Sequence, residues 1–144
     1  MDDFWLYVHL GFLALAVVGM LLADRLALSW MRGKREVLEE DELERAHWIV
    51  TIALSGLVYS GLYLFWPLRD YLLNQPVFWL KMVFILALLI NSFFIEALMP
   101  HTTRSSHADL EPAQRQKLML SGAVSFISWV GTVSAAIYIF GWPF

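Results

Sequence analysis

The sequence has no cysteine, which excludes disulfides, iron–sulfur clusters and thiolate metal sites. Charge is scarce as well: charged residues make up 16%, where an average soluble domain carries about 25%. Lys and Arg number 10 against 13 Asp and Glu, a net charge of −3, so no basic field points to a nucleic-acid partner. Glycine and proline are few, with 8 and 5 copies, and no Gly-rich phosphate loop is present. His-Glu-x-x-His and the nucleophile elbow are missing too, which removes the commonest metalloprotease and esterase chemistries.

What is present is apolar bulk. Hydrophobic residues reach 59%, with 7 Trp, 10 Phe and 5 Tyr in 144 residues. A helix that crosses a bilayer needs about 20 apolar residues. Four runs meet that length, at about 4–23, 47–66, 77–98 and 118–140. They predict one domain over residues 1–144, an all-α integral membrane bundle of four transmembrane helices. Asp2 and Asp3 stand where a signal peptide has its basic segment, so the first run reads as a retained helix. Pro67, Pro76, Pro100 and Pro112 fall between the runs and read as loop punctuation.

Loop charge predicts the orientation. Arg25, Arg32, Lys34, Arg35 and Arg45 lie in the first loop, and Arg104, Arg115 and Lys117 in the third. The second loop carries Arg69 alone. Cations mark the cytoplasmic side, so both termini are expected outside, in the periplasm of a bacterial inner (cytoplasmic) membrane. Residues 32–45, RGKREVLEEDELER, read as a charged helical extension of the second span or as a partner-docking helix. Ser106 or Asp109 is expected to cap the helix that follows.

Membrane helices associate through small residues and interhelical hydrogen bonds. Ser121, Ser125, Ser128, Thr132 and Ala135 form one helical face, and Gly56, Ser60 and Gly61 a second small-residue patch. Both read as packing features. Ionisable residues at membrane depth are instead candidates for function. His9 lies about five residues inside the first span and Lys81 about four inside the third, both toward the outer face. Tyr59, Tyr63 and Tyr138 fall near the same level. Each residue has a plainer reading: Lys81 can snorkel to the interface, and His9 can be a hydrogen-bonded structural histidine. As a functional group, neutral imidazole ligates metals and titrates near neutral pH.

These residues resemble a known family. His9, Gly19 and Arg25-Leu26 match the first helix of the HemJ-type protoporphyrinogen IX oxidases in spacing. Leu43-Glu44-Arg45 resembles the motif that opens their second helix, and Trp79 with Lys81 the start of their third. The copper-resistance D membrane domains look like distant relatives with the same lysine, as does a further four-helix bacterial membrane family. Asp24 stands where the HemJ-type proteins have proline, and Leu13 where they have methionine.

The resemblance implies a haem- or porphyrin-handling membrane protein, an oxidoreductase of this group or a relative without the chemistry. Haem b is the implied cofactor, His9 the implied metal ligand, and His9 and Lys81 the implied catalytic pair. Arg25, Tyr59, Tyr63 and Tyr138 complete the candidate cofactor-binding set with them. Expected partners are the lipid bilayer, a tetrapyrrole, and a membrane protein complex or a second copy of the chain.

Two other readings stand beside this one. The chain reads also as a non-catalytic accessory subunit or assembly factor, docking through its charged loop. Copper handling is the third: six Met residues are soft donors, and His101 and His107 lie near each other in sequence.

Overall fold

The computed structural model describes residues 3–141. Among them every regular element is helical. α1 spans Asp3–Met31, α2 Glu40–Leu72, α3 Pro76–Arg104 and α4 Pro112–Phe140. A single 3-10 turn, His107–Asp109, lies between α3 and α4. All four α-helices are long and apolar enough to cross a membrane. At 1.5 Å per residue they measure roughly 43–50 Å, so each outruns a ~30 Å hydrocarbon core by two to four turns.

Local chemistry accounts for most helix ends. α1 stops at Gly33, whose φ of 70° suits glycine alone. Lys34 N–H donates to the Ser29 carbonyl and Gly33 N–H to that of Trp30, the paired bonds of a Schellman cap. Pro112 opens α4 at a position where a missing N–H costs nothing, and Gly141, with φ 74°, closes it. Glu40, Asp41 and Glu42 fill the first turn of α2, where carboxylates favour the helix dipole.

Four sequence expectations about helix ends are corrected. Pro67 and Pro100 lie inside α2 and α3, not in loops. Each sits within two turns of its helix's C-terminus, so only those last turns lie beyond the lost backbone bond and the ring's clash with the carbonyl four residues earlier. Residues 32–39 are not helical, because the glycine cap at Gly33 ends α1 and the acidic turn at Glu40 starts α2. Neither Ser106 nor Asp109 caps α4. Ser106 Oγ donates to Asp109 Oδ2 at 2.7 Å, while Glu111 precedes α4 without a side-chain cap.

The chain divides into two compact units. The first holds α1, α2 as far as Leu68, and Met99–Leu110. Its helices meet along small residues. Ala16 and Ala53 are fully buried, and a Cβ on Gly19 would come within 2.8 Å of the Ile49 and Val50 γ-methyls. Gly56 lies against the Phe12 ring with no room for a Cβ. Such close approach is what gives dispersion its strength between helices. Near the other end of α1, Trp30 is 2% exposed and donates from Nε1 to the Ser105 carbonyl at 3.1 Å. His107 meets the Trp30 ring edge-on at 5.1 Å, and Leu38 N–H donates to the Thr102 carbonyl at 3.0 Å. Leu38 and Leu110 are buried in the same unit.

The second unit holds Arg69–Leu98 and the chain from Glu111 onward. Here α3 and α4 exchange a reciprocal pair of bonds. Asn91 Nδ2 donates to the Ser121 carbonyl at 2.9 Å, and Ser121 Oγ donates to Asn91 Oδ1 at 2.9 Å. The Phe84 ring fills the space above Gly131. The small-residue stripe faces inward as its spacing predicts, with Ser121, Ser128 and Ala135 all buried.

Candidate functional site

His9 stands on α1, one turn before Phe12. The Phe12 contact with Gly56 brings the α1 backbone close to α2, and His9 therefore meets the next turn of α2. Its Nδ1 lies 2.8 Å from Ser60 Oγ, and Ser60 is completely buried. The ring passes over Gly61, whose missing Cβ would stand 3.5 Å from His9 Cε1.

The hydrogen-bond geometry determines the imidazole tautomer. Ser60 Oγ is 2.6 Å from the Gly56 carbonyl on its own helix, the back-bond that serine makes inside helices. A carbonyl has no proton to give, so the hydroxyl's one proton lies on that contact. Toward His9 the hydroxyl is then an acceptor, and Nδ1–H is the donor. In the neutral ring this leaves the lone pair on Nε2. A ring fixed through one nitrogen with its lone pair on the other is how proteins prepare a histidine for a metal.

Aromatic rings lie beside this pair. Trp5 stacks on Tyr63 at 4.3 Å and 28°, and meets Tyr59 at 6.1 Å and 57°. Both tyrosines are on α2, but they face outward: Tyr59 is 68% exposed and Tyr63 47%. The side chain of α2 that reaches His9 is Ser60, which sequence reasoning treated as packing. A serine between two glycines at the depth of a half-buried histidine is the available signal.

The other candidates are elsewhere. Arg25 is on α1, sixteen residues beyond His9, which is about 24 Å along a helix. It lines a different feature, a groove at the junction of α1 and α2. Lys81, on α3, and Tyr138, on α4, belong to the second unit. Lys81 is half-buried and Tyr138 is 75% exposed. Trp79, beside Lys81, donates from Nε1 to the Leu73 carbonyl at 3.1 Å and closes the α2–α3 turn.

Metal chemistry can be tested on the donor set. Among the described residues no three His, Asp or Glu side chains come together to hold an ion. Haem ligation needs a single protein nitrogen, because the tetrapyrrole supplies the remaining donors, and His9, oriented through Nδ1, is a residue of that type. The chain matches no known protein family, no curated protein and no solved structure.

Proposed function

We propose that the chain is a multi-pass protein of a bacterial inner membrane that binds a haem or porphyrin through His9. The observation that carries this reading is the His9–Ser60 bond, which orients the imidazole through Nδ1. Its support beyond geometry is the resemblance of His9, Gly19 and Arg25-Leu26 to the HemJ-type oxidases. A bound haem would supply the redox chemistry, as cofactors do. The protein's part is to orient the imidazole through Ser60, with Phe12 and Trp5 as apolar neighbours in the helix pair. An oxidoreductase acting on a porphyrin is the activity this arrangement suits best.

Titration of the purified chain with haemin in mild detergent tests the proposal. A saturable Soret shift that weakens in Ser60→Ala and disappears in His9→Ala supports it. An unchanged titration in both variants overturns it.

A second reading draws on the same bond. An interhelical hydrogen bond is by itself a sufficient reason for a histidine inside a membrane helix pair. In that reading the chain is a non-catalytic subunit or assembly factor. His9→Gln, which keeps a donor toward Ser60, then preserves function while abolishing nothing spectroscopic.

A further inference from the structure

A groove of about 770 Å³ opens where α1 ends and α2 begins. Five cations line it: Arg25, Arg32, Lys34, Arg35 and Arg45. The sole carboxylate of the lining, Glu42, pairs with Arg35. Arg25, Arg32, Lys34 and Arg45 make no ion pair among the described residues. The chain as a whole is negative, at −3, so this concentration of positive charge is local.

Apart from Ser29, the rest of the lining is apolar. Leu22, Leu26 and Ile49 come from the stretches of α1 and α2 that run into the long hydrophobic segments. One side of the groove therefore suits an anion and the other a hydrocarbon. Guanidinium groups present paired donors that match phosphate oxygens. A free phosphate compound uses the cations and leaves the leucines without a partner. An amphiphile uses both.

We infer that this groove binds the headgroup of an anionic phospholipid, with the phosphate among the arginines and the first acyl carbons against Leu22, Leu26 and Ile49. Basic pockets between membrane helices on the cytoplasmic side recognise lipid phosphates in this way. The inference rests on the proposed membrane location and is independent of haem binding at His9.

The test is native mass spectrometry of the full chain in mild detergent. The probes are phosphatidylglycerol, phosphatidylcholine and soluble glycerol 3-phosphate. Phosphatidylglycerol is expected to bind at least tenfold more tightly than the other two. Arg32→Gln and Arg45→Gln each lower that affinity about fivefold, and the corresponding lysine variants, which keep the charge but lose the paired donors, recover only part of it. Glu42→Gln, which removes the one negative charge and releases Arg35, raises the affinity and guards against variants that fail to fold. Equal binding of the two lipids overturns the inference. So does an unchanged or lower affinity in Glu42→Gln. Glycerol 3-phosphate binding as well as the lipid identifies a soluble phosphate ligand instead, and also overturns it. Flotation with phosphatidylcholine vesicles separates the two levels. A chain that fails to float refutes the membrane location, whereas one that floats without lipid preference refutes the groove alone.

Discussion

His9 Nδ1–H donates to Ser60 Oγ at 2.8 Å, and the same hydroxyl donates its own hydrogen bond to the Gly56 carbonyl at 2.6 Å. Two helices and one imidazole tautomer are fixed by this chain of bonds. The hydroxyl cannot reverse its role without leaving two oxygens in contact with no proton between them. Ring orientation therefore depends on a residue with no metal chemistry of its own.

Ser60→Ala should weaken the helix pair and release the tautomer. Interhelical bonds of this type average about 0.6 kcal/mol and reach about 1.7 kcal/mol. A double-mutant cycle of Ser60→Ala with His9→Ala, followed by thermal unfolding in detergent, is expected to show coupling in that range. Additive losses would show that the bond contributes nothing.

The Phe12–Gly56 contact leaves no space for a methyl group. Gly56→Ala should cost about 1–3 kcal/mol through overpacking, and Phe12→Leu should recover part of the loss. Gly122 has open space where its Cβ would stand, so Gly122→Ala is expected to leave stability unchanged or raise it slightly. Melting temperatures of the three variants check the contrast.

How far the sequence reveals these features depends on their range. The four apolar runs announce four helices, because about 20 apolar residues in a row have few other uses. Helix ends were harder to read. Pro67 and Pro100 look like loop residues, yet α2 and α3 continue past them, since the last turns are held by bonds such as Leu73 N–H to the Arg69 carbonyl and Thr102 Oγ1 to that of Met99. Gly33 carries the opposite signal, a helix stop set inside a strongly helix-forming stretch that hides it. His9 stood out as an ionisable group in an apolar run, but its partner did not. Ser60 is fifty-one positions away, and only the packing of Phe12 on Gly56 brings it into reach.

Trp30 ties the end of α1 to the segment after α3 through Ser105. Trp30→Phe keeps most of the buried ring and removes one hydrogen bond, so a loss of about 1 kcal/mol is expected. Trp30→Ala leaves a cavity as well and should cost about 3–5 kcal/mol. Limited proteolysis should cut residues 32–39 and 104–111 faster in the alanine variant. Equal cleavage rates would deny the tie.

Thr132 Oγ1 is buried without a hydrogen-bond partner among the described residues. Thr132→Val keeps the shape and removes the unsatisfied hydroxyl, so stability should hold or rise by up to about 1 kcal/mol. Ser121→Ala is the contrast, because it strands the Asn91 side-chain oxygen in a buried site and should destabilise by about 1–2 kcal/mol. Thermal unfolding of both variants in the same detergent is the check.

The most direct test of the His9 site is an absorption spectrum of the full chain, purified from membranes in mild detergent and recorded oxidised and reduced. His9→Ala is purified alongside, with circular dichroism to establish equal helix content. The expected result is a Soret band with b-type peaks on reduction in the unmodified chain, absent from His9→Ala. Identical spectra from two equally folded proteins, whether both show the band or neither does, would contradict haem ligation by His9.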